Sequence, residues 1–133
     1  PHADAPTGEG RLRILSPASA WQMNASYAND PQIRERIGPL AVILHPDEAA
    51  ARGLAEGDRV TLSNAAGALA MAVSVSDLAQ PGVGVVYKGR WPNAEPGGAN
   101  VNLLHQGARS DIAEATSVHS TEVEIARLPA AAE

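Results

Sequence analysis

Hydrophobic residues alternate with polar ones over several short stretches of this chain, and this period of two is typical of half-buried β-strands. In residues 68–75, every second position from Leu69 to Val75 carries a larger apolar side chain. Short runs at residues 11–16, 41–44, 59–63, 83–87 and 121–126 complete the set of predicted strands. Because closing a small sheet removes its exposed edges, the pattern predicts a mainly β chain that forms a closed barrel of six or seven strands.

Two short helices are predicted between the strands. The first begins at Asp30, since a capping residue followed by proline favours a helix start, and it ends at Gly38. The second begins near Pro46, where two carboxylates follow in the first turn, and it ends at Gly53. Residues 101–104 form an apolar run that is too short to assign as strand or helix.

Composition and charge exclude several classes of protein. The 133 residues fit one domain, and its core must be aliphatic because the chain has no Phe, two Trp and two Tyr. A formal net charge of −5 without a Lys/Arg cluster argues against nucleic-acid binding. No apolar run approaches the ~20 residues of a membrane span. We expect residues 1–10 to be a linker cut from a longer polypeptide, residues 11–128 a barrel domain and residues 129–133 a tail.

The residues give little support to catalysis by this chain. The absence of cysteine excludes an iron–sulfur cluster on thiolates, a thiolate zinc site and a cysteine nucleophile. The Gly-x-Ser-x-Gly motif is missing, and the proximity of Asp111, Ser117 and His119 along the chain is weak evidence for a triad. His45 and His119 lack metal-ligand spacing and are interpreted as a helix-cap neighbour and a strand-edge residue. We predict no catalytic and no metal-binding residues.

Two polar segments are candidates for ligand binding. Residues 17–29, here the first loop, offer amide, hydroxyl and indole groups between a strand and a helix. Residues 88–99, here the second loop, are rich in Gly and Pro. Such segments suit a polar heterocycle that the backbone approaches closely, but ordinary solvated loops have the same composition. The residue chemistry alone leaves both interpretations open.

Several stretches in a fixed order resemble one family. They are residues 21–34 (WQMNASYANDPQIR), 45–60 (HPDEAAARGLAEGDRV), 64–67, 75–83, 88–92 (KGRWP), 99–104 (ANVNLL), 110–111 and 118–123 (VHSTEV). The set spans about residues 11–127 and is similar to the molybdopterin dinucleotide-binding domain of the dimethyl-sulfoxide-reductase family. That family includes formate dehydrogenases, nitrate reductases and sulfur-compound reductases.

The resemblance implies a double-psi β-barrel of the aspartate-decarboxylase-like type, placed at the C-terminus of a larger oxidoreductase. Its expected partners are the remaining domains of the parent enzyme and the cofactor, molybdopterin guanine dinucleotide. The other domains are expected to hold the molybdenum or tungsten, so the chain alone is expected to lack the cofactor and to be non-catalytic. The parent enzyme is expected in the cytoplasm or the periplasm, and the sequence does not choose between them.

The resemblance also implies a cofactor site on the polar loops. Asparagine amides match the alternating donors and acceptors of a pterin edge, and backbone N–H groups in Gly-rich turns can hold a diphosphate. The family's usual Thr after Leu-Leu is replaced here by His105 and Gln106. The predicted cofactor-binding residues are Ser16, Trp21, Asn24, Ser26, Lys88, Gly89, Arg90, Trp91, Asn100, Asn102, Ser110 and Asp111. We expect the segments that carry them to meet on one rim, whereas the turns at residues 56–58 and 64–67 are expected to be plain turn chemistry.

One alternative function uses the same fold. The N-terminal domains of some unfolding ATPases are double-psi barrels that bind proteins without a cofactor, although they lack the Asn-rich first loop. A self-cleaving decarboxylase is disfavoured because this chain has no Gly-Ser pair.

Overall fold

The computed structural model describes residues 7–110 and 113–129. Within them lie six strands, two α-helices and two 3-10 helices. The strands are β1 (Leu12–Leu15), β2 (Ala41–Leu44), β3 (Arg59–Asn64), β4 (Gly67–Val75), β5 (Val83–Val85) and β6 (Thr121–Arg127). The helices are α1 (Pro31–Ile37) and α2 (Pro46–Ala51), and the 3-10 helices are Pro92–Ala94 and Val101–Leu104. The two predicted helices and all predicted strands are therefore present, and the short run that the sequence left unassigned is a 3-10 helix.

The strands close into a barrel in the order β1-β5-β2-β4-β3-β6. Two neighbouring pairs, β1/β5 and β2/β4, are parallel, and the other four pairs are antiparallel. No pairing edge is left open, which removes the hazard of an exposed strand edge. This mixed, crossed topology confirms the predicted closed double-psi β-barrel with six strands.

The core is aliphatic, as the composition predicts. Alternate side chains of the strands point inward, so that Leu69, Met71 and Val73 of β4 are buried while Val75, at its end, is partly buried. Each fully buried aliphatic side chain contributes about 1.5–3 kcal/mol relative to an exposed one. The largest fully buried side chains are Leu12, Ile14, Leu44, Leu62, Met71, Leu104, Val42, Val60, Val73, Val86, Val101 and Val123.

Both helices begin at the side chains that the sequence indicated. The Asp30 carboxylate caps α1 by accepting hydrogen bonds from the backbone N–H groups of Gln32 and Ile33, at 2.8 and 3.2 Å. Gly38 follows the helix with a φ of 62°, a left-handed conformation that favours glycine. His45 caps α2, because its Nδ1 accepts the N–H of residue 47 at 3.1 Å. His45 is therefore the cap itself rather than a neighbour of one.

The strand directions place the two long polar segments at the same end of the barrel. This end, here called the loop rim, is formed by the last residues of β1, β3 and β5 and the first residues of β2, β4 and β6. The first loop follows β1, and the second loop follows β5, so both leave the barrel at the loop rim. Helix α2 and the turns at residues 56–58 and 76–82 lie at the opposite end.

Gly84 of β5 provides a test of how tightly the core is packed. A Cβ at this position would lie 2.6 Å from Leu12 Cδ2 and 2.9 Å from Val42 Cγ2. We expect Gly84→Ala to lower the free energy of unfolding by about 1–3 kcal/mol, as overpacking generally does. Urea denaturation measures the change. The matched control is Gly8→Ala, whose Cβ would meet the flexible Arg11 side chain at 3.3 Å and should have little effect. Equal effects of the two substitutions would contradict this account of the core.

Candidate functional site

Hydrogen bonds join the first loop to the second. The Gln22 side chain donates from Nε2 to the Gly89 carbonyl at 3.3 Å. In the opposite direction, the Trp91 indole N–H donates to the Ala25 carbonyl at 2.6 Å. Two loops that are more than 60 residues apart in sequence thus form one surface at the loop rim.

Gly89 permits the closest approach between these loops. Its φ is +96°, and a Cβ built on it would lie 2.3 Å from the backbone oxygen of Asn24. A larger residue would therefore be strained and would push the loops apart. Asn24 itself has a φ of 51°, which asparagine tolerates better than most residues. The close approach that Gly89 permits in this structure is to the first loop, and its predicted contact with the cofactor stays a prediction.

Asn100 attaches the third predicted segment to the second loop. Its Nδ2 donates to the Arg90 carbonyl at 2.7 Å, and its Oδ1 accepts the Asn102 N–H at 3.0 Å. The second of these bonds caps the 3-10 helix Val101–Leu104. The side-chain amide of Asn102 is exposed and makes no hydrogen bond within residues 7–110 and 113–129. Asn100 therefore orders the segment, and Asn102 presents a free amide.

Arg90 is bound by the protein itself. Its Nη2 donates to the carbonyls of Ile37, Gly38 and Pro39 at 3.1, 2.8 and 2.9 Å. Its Nη1 pairs with Glu95 Oε1 at 3.1 Å, and the two side chains are only 8% and 7% exposed. Arg90 is among the predicted cofactor-binding residues, and that role stays a prediction. In the structure its guanidinium ties the end of α1 to the second loop.

The predicted residues thus fall into two groups. Gly89, Arg90, Trp91 and Asn100 are used in contacts that hold the loops together. In the other group, the side-chain polar groups make no hydrogen bond within the described part of the chain. Its members are Trp21, Asn24, Ser26, Lys88, Asn102 and Ser110. Asp111 lies outside the described residues.

Ser16 has a buried hydroxyl without a partner. The residue is 3% exposed, and its Oγ finds no hydrogen-bond partner in the described structure. Buried polar groups are almost always satisfied, so such an atom points to a ligand or a water molecule as its partner. The Ser16 N–H donates to His119 Nδ1 at 3.4 Å. Ser16 therefore combines an open hydroxyl with a fixed backbone at the start of the first loop.

Two histidines that the sequence did not assign to the site lie beside it. His105 Nδ1 and Thr121 Oγ1 share a hydrogen bond of 2.8 Å. Burial lowers the pKa of His105, and the proximity of His119 lowers it further, so His105 is neutral at pH 7. His119 contacts the Ser16 backbone instead of serving only as a strand-edge residue. The departure from the family pattern at position 105 was the one signal in the sequence that marked this region.

Ser110 makes its backbone contact close by in sequence. Its N–H donates to the Ala115 carbonyl at 2.8 Å, and the neighbouring Arg109 pairs with Thr116. Its role at the cofactor stays a prediction. Within the described residues, no hydrogen bond joins Ser110 to the first or the second loop.

Asn64 shows that the hairpin at residues 64–67 does more than turn the chain. Its Oδ1 accepts the Ala66 N–H at 2.9 Å, which is ordinary turn chemistry. Its Nδ2 donates to the carbonyls of Leu104 and Glu122 at 2.7 and 3.1 Å. The expectation of a plain turn is therefore wrong, because Asn64 also ties the 3-10 helix and β6 to the loop rim.

Apolar surface surrounds the free polar groups. In the described part of the chain, six large hydrophobic side chains are exposed, and four of them lie on the two loops: Trp21, Met23, Tyr27 and Trp91. The guanidinium of Arg36 stacks on the Trp21 ring at 4.7 Å. A cavity of about 210 Å³ opens between the first loop and α1. Aromatic faces beside unpaired amides form a surface suited to a planar, polar heterocycle.

No group of three or more His, Cys, Asp or Glu side chains is placed to hold a metal ion within the described residues. No helix in this part of the chain is long and apolar enough to cross a membrane.

Comparisons with known proteins identify the family to which this chain is similar. The model of a family described as "Molydopterin dinucleotide binding domain" matches residues 12–122. A trimethylamine-N-oxide reductase of Salmonella typhi is 37% identical over 127 residues, which cover 86% of this chain. A dimethyl sulfoxide/trimethylamine N-oxide reductase of Rhodobacter capsulatus is 42% identical over 89 residues, which cover 63% of this chain and 11% of that protein. This chain spans about 15% of the length of the trimethylamine-N-oxide reductases.

A solved structure shares the fold. Acetylene hydratase from Pelobacter acetylenicus superposes with a TM-score of 0.55 and 20% sequence identity, over 60% of this chain and 11% of that protein. At this level of identity, the likeness concerns the barrel alone.

The ion pair of Arg90 and Glu95 has a matched control in the same chain. Arg109 and Glu114 have the same residue types and spacing, but their side chains are 71% and 78% exposed. Arg90→Met leaves the Glu95 carboxylate and three carbonyls without their partner in a buried place, so we expect unfolding to become easier by about 3–5 kcal/mol. Arg109→Met should change the stability little, since exposed pairs contribute little. Urea denaturation of both variants checks this, and similar losses would refute a special role for Arg90.

Proposed function

Because this chain belongs to the molydopterin dinucleotide-binding domain family, we propose that it is the cofactor-binding barrel of a larger molybdenum oxidoreductase. The observation that carries the proposal is the meeting of the first and second loops at one rim, with free amides among exposed aromatic rings. In this proposal the metal is held by the remaining domains of the parent enzyme. When bound, the cofactor supplies the redox chemistry, and this chain binds and orients it.

The residues present fit such a cofactor. The side chains of Asn24 and Asn102 offer both donors and acceptors, as the edge of a pterin requires. The buried Ser16 hydroxyl lacks a partner that a polar ligand can supply. Lys88 contributes a free positive charge on the second loop, where a diphosphate needs one. Trp21 offers an exposed indole face for a planar ring.

Three of the predicted residues hold the loops in place and are not proposed to contact the cofactor. Arg90, Trp91 and Asn100 already use their polar groups within the protein. We propose that they position the loops, and that the cofactor is contacted by the free side chains named above. This division narrows the predicted set from the sequence to Ser16, Trp21, Asn24, Ser26, Lys88 and Asn102.

We further propose that the parent enzyme reduces an N-oxide or an S-oxide. The relatives named above are reductases of trimethylamine N-oxide and dimethyl sulfoxide, and a biotin sulfoxide reductase of Cereibacter sphaeroides is 33% identical over 125 residues. These names favour N-oxide and S-oxide reductases over the formate dehydrogenases and nitrate reductases that the sequence resemblance also allowed. Molybdopterin guanine dinucleotide is the cofactor form that we propose.

Titration with a pterin dinucleotide tests the binding role. The stable, fluorescent oxidised form of the dinucleotide is added to the 133-residue chain, and binding is followed by fluorescence anisotropy. We expect Asn102→Ala to weaken binding by about tenfold or more, because losing a hydrogen-bond partner of a buried group costs about 1–3 kcal/mol. Asn24→Ala should act similarly.

The matched control is Gln80→Ala, which removes an exposed amide at the opposite end of the barrel and should leave binding unchanged. Asn64→Ala is not a suitable control, because Asn64 holds the loop rim together. Equal binding by Asn102→Ala, Asn24→Ala and the unsubstituted chain would contradict the proposed contacts and favour the alternative, a protein-interaction barrel that uses the same exposed aromatic surface.

A further inference from the structure

A second cavity lies on the outer side of the barrel, and none of the free side chains of the proposed cofactor site lines it. It has a volume of about 420 Å³ and lies between α1 and the start of β3. Ala70 and Ala72 of β4 form part of its lining. These two side chains alternate with the inward-facing Leu69, Met71 and Val73, so they belong to the outer face of the sheet. Their small size leaves the space open.

Positive charge is concentrated around this cavity. Arg34, Arg59 and Arg90 line it, and they are three of the ten Lys and Arg residues in a chain whose net charge is −5. Arg90 is neutralised by its buried pair with Glu95, which also lines the cavity. The charges that remain are those of Arg34, Arg59 and one carboxylate, Glu35.

The two remaining guanidinium groups have unused donors. Arg59 makes no side-chain hydrogen bond or ion pair with any described residue. Arg34 uses Nη2 alone, which donates to the Ala94 carbonyl at 2.9 Å. Each guanidinium carries five N–H donors in a planar fork that matches the two oxygens of a carboxylate or a phosphate. Both side chains are therefore available to an anion in the cavity.

We propose that this cavity binds a small oxyanion, a carboxylate or a phosphate group, between Arg34 and Arg59. Charge-assisted, bidentate hydrogen bonds from the two arginines provide the recognition. The carboxylate of Glu35 repels the anion and lowers the affinity, because like charges that share a site repel each other. Neither arginine is among the residues proposed above to contact the pterin dinucleotide, although the cavity shares Arg90 and Glu95 with the frame that positions the second loop.

Titration with inorganic phosphate, and separately with succinate, tests the proposal. The Nε–H resonances of arginine in the ¹⁵N-labelled chain report which guanidinium groups respond. We expect saturable shifts of Arg34 and Arg59 with a dissociation constant in the range of about 1 mM, which corresponds to about −4 kcal/mol. The stronger of the two ligands identifies the anion class. Absence of saturation with both ligands at about 10 mM would overturn the proposal.

Three variants separate this site from general charge attraction. Arg59→Gln should weaken binding about tenfold, because it removes one of the two charged forks. Glu35→Gln should strengthen binding about two- to threefold, since it removes the opposing charge. A merely structural role for these residues predicts no such gain. Arg11→Gln is the control with the same loss of charge, at an arginine that pairs with Glu124. If Arg11→Gln weakens binding as much as Arg59→Gln, the proposal fails.

Discussion

The loop rim depends on one buried cation. Arg90 is held between three carbonyls at the end of α1 and the carboxylate of Glu95, so a charge that is costly to bury is fully satisfied. Its own carbonyl accepts the hydrogen bond that attaches Asn100 and the 3-10 helix after it. One residue therefore joins a helix end, the second loop and the third segment. The rest of the site is built against this fixed point.

Barrel closure explains how such loops are tolerated. Each strand has two hydrogen-bonded neighbours, and turns at the opposite end of the barrel satisfy further backbone groups, as where Val75 N–H donates to the Glu56 carboxylate. Neither long loop at the loop rim is needed for those bonds. The two loops can therefore adopt conformations that bring them into contact. One example is the left-handed backbone of Gly89, which lies against the backbone oxygen of Asn24. The free side chains stand on this frame. In the proposed site, contacts between the loops set the orientation, and the free side chains supply the recognition.

The fold could be predicted from local sequence patterns, whereas the hydrogen-bond partners of individual site residues could not. The period-two run of β4 and the Asp30-Pro31 helix start depend on neighbouring residues, and both are present as expected. Arg90, in contrast, occupies a Gly/Pro-rich loop, where a positive residue suggests phosphate binding, and its carbonyl partners lie 51 to 53 residues away in sequence. Asn64 is a second example. Its hydrogen bond to the Ala66 N–H is local, so the sequence predicted a plain turn, but its hydrogen bonds to Leu104 and Glu122 span 40 and 58 residues. Periodicity reveals which face is buried, but a polar side chain's partner is set by the order of strands around the barrel.

The charge of the chain bears on how a polyanionic cofactor could be held here. With Arg90 neutralised by Glu95, the cations at this surface are Lys88 and the Arg36 guanidinium that stacks on Trp21, among amides, hydroxyls and indoles. Neutral donors contribute less energy than charged ones, but each has a direction, so several together discriminate shape and hydrogen-bonding pattern. They are also less sensitive to salt than a cluster of lysines. A site of this kind suits a domain that must orient a large heterocycle for chemistry performed by other parts of a longer protein. An acidic barrel can serve this purpose because geometry, rather than net attraction, determines what it holds.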